Sequence, residues 1–297
     1  MSPTTDPNSQ ALPTVLTWTT VDGSVKSLNF AAPIVMGVIN VTPDSFSDGG
    51  RFFRAEDAIA EGLKQIHEGA DILDVGGETT RPGSLPTPAD EEWRRLEPVI
   101  KGLTAIPNCP PISVDANKAE IAAKALQAGA AIINDIWAGR KDPEIIPLCA
   151  RYGVPIILMH MLGDPRTMQI DPYYEDVVRE VREFLAERAL VAEKAGLPRE
   201  KIILDPGLGF GKLASHNLSL LKNLDQVYPP GYHTLMALSR KAFLGHILEG
   251  APPDQRDVAT AAANALAVAK GAEIIRVHAV KPSKDAARVA MATRKAA

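Results

Sequence analysis

The chain has 297 residues, of which 45% are hydrophobic and 23% are charged, and its formal net charge is −4. This composition excludes a mainly disordered chain, and the acidic balance excludes a nucleic-acid-binding surface built from bulk positive charge. The two cysteines, Cys109 and Cys149, cannot form a disulfide framework or a cysteine-based zinc site, and they suit a reducing cytoplasm.

Residues 1–12 are polar and rich in Pro, Ser and Thr, which predicts a disordered leader. They lack the basic and apolar regions of a secretory signal. No run of about 18 apolar residues occurs in the chain, so we expect no membrane span and a cytoplasmic location. Residues 14–30 place Asp22 and Gly23 between two β-prone segments, which predicts a β-hairpin.

From residue 33 to residue 295 one unit repeats, made of a short apolar segment, a polar loop and a helical segment. Eight such apolar segments follow one another: PIVMGVI, DILDVG, PISVD, AIINDI, PIILMH, KIILD, HTLMALS and EIIRVH. Strands that are apolar throughout are typical of a parallel sheet covered by helices. A Rossmann fold is disfavoured because the first strand leads into NVTPDSF and not into a Gly-rich turn. The sequence predicts an α/β TIM (β/α)8 barrel as a single domain over 13–297, with the barrel itself over 33–295.

Polar side chains end all eight apolar segments, at the end of a TIM barrel where active sites lie. A buried polar group without a partner costs about 1–3 kcal/mol, so a full ring of such groups predicts a pocket for a polar ligand. The ring consists of Asn40, Glu78 with Thr80, Asp115, Asn134 with Asp135, His160, Asp205, Ser239 with Lys241, and Arg276 with His278.

The residue types in this ring indicate two kinds of ligand group. An amino-pyrimidinone ring needs donors and acceptors in one plane, which are available from Asp115, Asn134 and Asp205. Phosphate or diphosphate needs cationic donors, which are available from Arg81, Lys241, Arg276 and His278. The loops VTPDSFSDGG and ETTRPGS, rich in Gly, Pro and Ser, are typical of lids over a barrel mouth.

Three polar residues keep a structural alternative. Asp135 points away from the pocket, which favours a structural role. Asp74, within the second barrel strand, is either structural or orients Asn40 or Arg81. His160 is either a core histidine or part of the pocket wall.

The segments around these residues resemble the dihydropteroate synthases. The motifs run in order from Pro33 to about Arg294, and they are NVTPDSFSDGG, DVGGETTRPGS, SVD, INDI, MHM-G-P-TMQ, DPGLGFGK, SRKAFLG and RVH. The resemblance implies a homodimeric TIM barrel of the folate pathway. Its reaction joins 6-hydroxymethyl-7,8-dihydropterin pyrophosphate to para-aminobenzoate, with Mg²⁺ assisting, and gives 7,8-dihydropteroate and pyrophosphate.

The resemblance also implies a role for each matching position. The pterin would be held by Asp115, Asn134, Asp205 and Lys241, in a slot formed by Ile136, Met159, Gly209 and Phe210. Asn40 would bind Mg²⁺ and the diphosphate, whose oxygens would also meet Arg81, Arg276 and His278. The para-aminobenzoate site would be formed by Thr80 and Pro82, with Phe46 and Asp48 closing over it.

Four positions depart from the usual motifs of the family: Thr79, Ala116, Ala242 and Ala279. The family has Ser and Asp at the last two, which lie toward the para-aminobenzoate end. We therefore expect mildly altered affinity for para-aminobenzoate or sulfonamides, while turnover survives.

Two other functions remain open, a non-catalytic pterin-binding paralogue and a pterin-dependent methyltransferase domain. Retention of Asn40, Arg81, Lys241 and Arg276 disfavours the first, and the joint presence of ETTRPGS and SRKAFLG disfavours the second. A metal-dependent barrel hydrolase is disfavoured because the first barrel strand ends in GVINVTP and not in a His-x-His pair. A Schiff-base aldolase built on Lys241 would be trapped by borohydride with a carbonyl substrate.

Overall fold

The structure, a computed structural model, describes residues 12–42, 55–79 and 83–296. The predicted leader therefore lies almost wholly outside the described residues. The same holds for five predicted site residues, which are Phe46, Asp48, Thr80, Arg81 and Pro82.

Eight parallel strands close into a barrel, as the repeat predicts. They are β3 (Ile34–Asn40), β4 (Ile72–Gly76), β5 (Ile112–Asp115), β6 (Ile132–Asp135), β7 (Ile156–Met159), β8 (Ile202–Asp205), β9 (His233–Ala237) and β10 (Ile274–Val277). Every residue of β4, β6, β7 and β8 is buried, because both faces of these strands are covered. This explains why the segments are apolar throughout and do not alternate.

Helices connect successive barrel strands and cover the outside of the barrel. They are α1 (Ala55–Glu68), α2 (Ala89–Thr104), α3 (Ala119–Gln127), α4 (Ile145–Tyr152), α5 (Val177–Lys194), α6 (Ala214–Lys222), α7 (Leu224–Val227), α8 (Ala242–Ile247), α9 (Asp257–Ala269) and α10 (Val280–Lys295). Helix α5 illustrates how capping and an apolar stripe determine where these helices form. Asp176 caps its first turn by accepting from the backbone N–H groups of Val178 and Arg179, and Val181, Leu185 and Ala189 form its buried stripe. No helix in the described ranges is long and apolar enough to cross a membrane.

The register of the barrel brings polar strand ends together. Gly76 pairs with both Asn40 and Asp115, and Asp115 pairs in turn with Asn134. On the other side of the barrel, Asp205 pairs with Met159. Since parallel strands all end at the same edge, these side chains share one end of the barrel.

The predicted hairpin closes the opposite end. It consists of β1 (Val15–Thr19) and β2 (Val25–Asn29), which pair antiparallel. Trp18 is buried and its indole N–H donates to the carbonyl of Ala131, 2.9 Å away, immediately before β6. Phe30 stacks on His233, the first residue of β9, with ring centroids 3.6 Å apart. The hairpin therefore seals the amino-terminal end of the barrel and leaves the carboxyl end open.

Candidate active site

A cavity of about 680 Å³ opens at the carboxyl end of the barrel, within the size range of small-molecule sites. The predicted residues that line it are Asn40, Asp115, Asn134, Ile136, Met159, Asp205, Phe210, Lys241, Arg276 and His278. Gly209 lies directly beneath Lys241, because a Cβ built on this glycine would come within 3.0 Å of the Lys241 Cδ atom. A smaller cavity of about 170 Å³ lies beside Trp137 and shares Glu78, Thr79 and Ile136 with the first.

A fully buried carboxylate, that of Asp74, orients two of the lining side chains. It accepts a hydrogen bond from Arg276 Nε at 2.7 Å and another from Asn134 Nδ2 at 3.2 Å. Of the alternatives for Asp74, these bonds favour an orienting role, directed to Asn134 and Arg276, while Arg81 lies outside the described residues. Burial works against the charge of Arg276, but the carboxylates of Asp74 and Asp115 raise the pKa of its guanidinium.

The neighbouring carboxyl group of Asp115 has a different electrostatic environment. Burial and the negative charge of Asp74 raise the pKa of Asp115, while Arg276, with Nη2 3.9 Å from the carboxylate, opposes that shift. A carboxyl group that keeps its proton more readily than usual can both donate and accept hydrogen bonds. Asp115 therefore matches the mixed donor and acceptor edge of an amino-pyrimidinone ring.

Asp205 and Lys241 form the charged side of a flat slot. Asp205, at the end of β8, is 4% exposed, and its carboxylate accepts from the backbone N–H of Gly207 at 2.7 Å. Burial raises the pKa of Asp205 to about 6 and lowers the pKa of Lys241 to about 8, while their mutual attraction opposes both shifts. The Lys241 ammonium lies 4.2 Å from the centroid of the Phe210 ring. At neutral pH the slot thus combines a carboxylate, an ammonium and an aromatic wall.

His278 follows β10 directly and provides a neutral donor to the cavity. Its Nδ1 atom lies 2.9 Å from the hydroxyl oxygen of Ser239, and the backbone N–H of His278 donates to that oxygen. Burial, reinforced by the charge of Arg276, lowers the pKa of His278 to about 3. The expectation that His278 supplies a cation was wrong for this reason. It offers one ring N–H to an anionic ligand, and the charge comes from Arg276.

The turn that carries Lys241 is held by the start of helix α9. Arg240 has a φ of 57°, a conformation that is uncommon for residues other than glycine and that occurs at functional sites. Its guanidinium forms two bonds with the carboxylate of Asp257, at 2.7 and 2.8 Å, and its backbone N–H donates to Thr260. The sequence does not reveal this arrangement, because Arg240 and Asp257 lie 17 positions apart and no local pattern connects them.

The glycine-rich loop after β8, residues 206–213, is held in place by close packing and by hydrogen bonds to other parts of the chain. A Cβ on Gly207 would lie 1.9 Å from the carbonyl oxygen of His160, so only glycine fits there. Gly209 donates its N–H to Asn217 and accepts from Gln169, and Gly211 accepts from Tyr174. The loop therefore presents Phe210 to the cavity in one defined position.

Asp135 and His160, for which the sequence left a structural and a functional role open, both have structural roles. Asp135 accepts from the backbone N–H groups of Trp137 and Gly139, as expected for a residue outside the pocket. His160 is buried behind the cavity, where its ring packs edge-on against Phe184. Burial and the charge of Lys212 lower the pKa of His160 to about 2, so it is a neutral core histidine.

Glu78 anchors the second barrel loop next to the cavity. Its carboxylate accepts from Lys118 Nζ at 2.7 Å, from Asn117 Nδ2 at 3.1 Å and from the backbone N–H of Thr87 at 3.3 Å. Lys118 also contacts the fully buried Glu92. This network fixes Glu78 in the lining of the cavity.

The donor set around Asn40 fits Mg²⁺ in one way only. Within the described residues no group of three or more His, Cys, Asp or Glu side chains could hold a metal ion. Asn40 is exposed in the cavity and offers one amide oxygen, a hard ligand. Because Mg²⁺ commonly binds through one or two protein oxygens together with substrate phosphates, the site fits an ion that arrives with a diphosphate.

Known proteins are similar to this chain in sequence and in fold. A family model described as "Pterin binding enzyme" matches residues 36–278. The dihydropteroate synthase of Haemophilus influenzae is 42% identical over 268 residues, which cover 90% of this chain and 96% of that protein. The dihydropteroate synthase of Mycobacterium leprae is 45% identical over 266 residues, covering 87% and 93%.

Solved structures agree with these sequence relatives. The dihydropteroate synthase of Yersinia pestis in a sulfonamide drug complex is 37% identical with a TM-score of 0.86, covering 95% of this chain and 100% of that one. The Xanthomonas albilineans dihydropteroate synthase in complex with 7,8-dihydropteroate is 42% identical with a TM-score of 0.82, covering 92% and 97%. The motifs, the barrel and the relatives therefore agree, and the chain belongs to the dihydropteroate synthases, a family of transferases.

Proposed function

We propose that the chain condenses 6-hydroxymethyl-7,8-dihydropterin pyrophosphate with para-aminobenzoate to give 7,8-dihydropteroate and pyrophosphate. The observation that carries this proposal is that groups suited to a flat heterocycle and groups suited to an anion line one cavity. Asp205, Lys241 and Phe210 form a slot for a flat heterocycle, while Arg276 and His278 face the space where an anion attached to that ring would lie.

The pterin half recognises the ring by shape and by hydrogen bonds. Asp115, Asn134 and Asp205 offer mixed donors and acceptors to the polar edge of the ring, while Met159 and Phe210 enclose its faces. The bond from Asn134 to Asp74 fixes the amide, so it donates to Asp74 and presents its oxygen to the cavity. A group fixed before binding loses little entropy on binding, which favours affinity.

The diphosphate half supports departure of the leaving group. The bond between the methylene carbon and the diphosphate oxygen breaks, and the electron-rich dihydropterin delocalises the positive charge that develops. The Asp205 carboxylate stabilises this cation, while Arg276 and the ring N–H of His278 stabilise the leaving diphosphate. Asn40, together with the diphosphate, would hold Mg²⁺, which would supply further neutralisation of the leaving group.

The aryl amine then completes the reaction. Its nitrogen attacks the methylene carbon, forms the new C–N bond and loses a proton to solvent, so the protein needs no strong nucleophile of its own. Positioning of the two substrates provides the remaining rate enhancement. Roles for Arg81, Thr80, Pro82, Phe46 and Asp48 stay predictions, since these residues lie outside the described part of the chain.

Pyrophosphate release tests this proposal. The protein is incubated with the pterin pyrophosphate and Mg²⁺, with and without para-aminobenzoate. We expect release that depends on the acceptor, falls when Mg²⁺ is chelated and returns when the ion is restored. Tight binding of the pterin without release at any acceptor concentration would identify a non-catalytic paralogue. Methyl transfer from a pterin donor would identify the methyltransferase alternative.

We also propose that the chain forms a homodimer through helix α9. Val258, Ala262 and Leu266 lie four residues apart and are exposed, with Val258 at 84% and Leu266 at 57%. Such spacing places them on one face of the helix, and a continuous exposed apolar face is typical of an interface, here with a second copy of the chain.

Light scattering on the purified protein tests the dimer. We expect twice the chain mass for the wild type and the mass of one chain for Leu266→Asp. Val25→Asp, at a 68% exposed position on the hairpin, is the matched control and should remain dimeric. A monomeric wild type, or a Leu266→Asp variant that still dimerises, would contradict this interface.

The cytoplasmic location stays a proposal. It is supported by Cys109 and Cys149, which are buried and unpaired, as expected in a reducing compartment. Fractionation of cells that express the tagged chain should recover it with cytoplasmic markers, and recovery with membranes or in the periplasm would contradict the proposal.

A further inference from the structure

Lys212 is a buried cation that the mechanism above does not use. It is 3% exposed, and none of the carboxylates in the described ranges lies within 4.0 Å of its ammonium. Burial lowers the pKa of Lys212 to about 7, against the attraction of Asp205. Desolvating an amine is costly, so its position within the glycine-rich loop calls for a physical reason.

The ammonium makes three hydrogen bonds, which use all of its N–H donors. Its Nζ atom lies 2.9 Å from the carbonyl oxygen of Gly207, 3.1 Å from that of Phe210 and 2.9 Å from Nδ1 of His160. Two acceptors belong to the glycine-rich loop after β8, and the third belongs to the residue that follows β7. The amine thus joins the ends of two neighbouring strands.

These two strand ends lead to two apolar side chains that line the proposed pterin slot, Met159 and Phe210. Met159, the last residue of β7, directly precedes His160, and Phe210 supplies the carbonyl that Lys212 binds. Both side chains line the cavity. The same loop also holds Asp205, whose carboxylate accepts from Gly207 and whose carbonyl accepts from the backbone N–H of His160. A shift of the loop would therefore move both an aromatic wall and the charged group that faces the ring.

We propose that Lys212 is a positioning residue for the pterin slot, since its ammonium ties the end of β7 to the glycine-rich loop and so sets the spacing between Met159 and Phe210. The proposal rests on the assignment of this slot to the pterin ring. It does not place Lys212 in contact with either substrate. Lys212 acts on the ring through the two residues that enclose it.

The test compares Lys212→Met with Tyr174→Phe. Lys212→Met keeps the length of the side chain but leaves the two carbonyls and His160 without their donor. Tyr174→Phe removes another buried bond to the same loop, at Gly211, which does not involve Phe210 itself. For each variant, the KM for the pterin pyrophosphate, the KM for para-aminobenzoate, kcat and the melting temperature are measured. The dissociation constant for 6-hydroxymethyl-7,8-dihydropterin is measured by calorimetry.

For Lys212→Met we expect the KM and dissociation constant for the pterin to rise about tenfold, since three buried acceptors lose their donor. The KM for para-aminobenzoate should stay within about twofold. Tyr174→Phe should lower the melting temperature without changing pterin affinity. Lys212→Gln, which retains N–H donors, should recover part of the lost affinity, and it replaces Lys212→Met if that variant does not fold.

Unchanged pterin affinity in both Lys212 variants would overturn the proposal, and so would a parallel change in both KM values. Equal loss of pterin affinity in Tyr174→Phe would show a general effect of loop stability and would also overturn it. Because the calorimetric measurement needs no turnover, a wild type that binds the pterin but releases no pyrophosphate would contradict the proposed reaction alone.

Discussion

The two ends of the barrel satisfy their polar groups in different ways. At the amino-terminal end, Trp18 and Lys26 donate to backbone carbonyls at 2.9 and 3.2 Å, and the hairpin covers the strands. At the carboxyl end, Asp205, Lys241 and Arg276 converge on an open cavity. The same β/α repeat thus builds stability at one end and a binding site at the other. Changes at the hairpin should alter the free energy of unfolding, and changes at the cavity should alter turnover.

The largest expected effect is that of Lys241→Ala on turnover. Loss of this ammonium removes a charged contact to the reacting pterin, so kcat/KM for pyrophosphate release should fall by about 100-fold to 1,000-fold. The melting temperature, measured by calorimetry, should change little. Lys222→Ala, at an exposed position on α6, is the control and should keep full activity. A kcat/KM for Lys241→Ala close to that of the wild type would remove Lys241 from the site.

The converse change is Trp18→Ala at the hairpin. It removes a large buried side chain and leaves the carbonyl of Ala131 without its donor, so the free energy of unfolding should fall by about 3–5 kcal/mol. Urea denaturation measures this loss. Both KM values of the folded enzyme should match the wild type, as they should for the exposed control Val25→Ala. A selective change of KM in Trp18→Ala would show that the two ends are coupled.

The pH dependence of turnover sharpens the assignment of the cavity. Asp205 loses its charge as the pH falls through its pKa of about 6, and Lys241 loses its charge as the pH rises through its pKa of about 8. The kcat/KM for the pterin pyrophosphate should therefore be bell-shaped, with its maximum between these values. Lys241→Arg should extend the alkaline limb, because a guanidinium keeps its proton there. An unchanged alkaline limb in that variant would contradict the role of Lys241.

A smaller effect is expected where helix α10 begins. Ala279 occupies the N-cap position with a φ of −99°, and it has no side chain to accept from the first turn. Ala279→Asp should cap the helix and raise the free energy of unfolding by about 1 kcal/mol. Ala279→Asn, which caps without charge, should give a similar gain in urea denaturation. No gain in either variant would show that the helix start is already satisfied.

The smallest expected effect concerns drug response. Reverting Ala242→Ser and Ala279→Asp together should change the inhibition constant of a sulfonamide by about threefold, as one added hydrogen bond would do. Turnover should persist in the double variant. Steady-state inhibition assays measure this constant, and an unchanged value would show that neither position contributes to acceptor binding.

The sequence predicted the barrel well because the signal is local. Buried parallel strands are apolar throughout, so β4 and β8 begin within a residue of their predicted positions. The same reasoning identified Asp205 and Lys241, since strand ends share one edge of the barrel. These parts of the fold and the site depend on chain order alone.

The contacts that tune the site could not be predicted, because they join distant parts of the chain. Lys212 and His160 are 52 positions apart, and Arg276 and Asp74 are 202 positions apart. A lysine in a glycine-rich segment is usually exposed, and nothing in the sequence indicates that this one is buried. The predicted positive charge of His278 was wrong because burial lowers the pKa of its ring, and the sequence does not show that burial.

The most direct test of the central claim is a crystal structure of the chain with 6-hydroxymethyl-7,8-dihydropterin pyrophosphate and Mg²⁺. We predict the ring between Met159 and Phe210, with hydrogen bonds to Asn134 and Asp205 and with its diphosphate beside Arg276. A ring bound elsewhere, such as in the smaller cavity beside Trp137, or a diphosphate at the Asp205 side of the cavity, would contradict the division of the site that we describe.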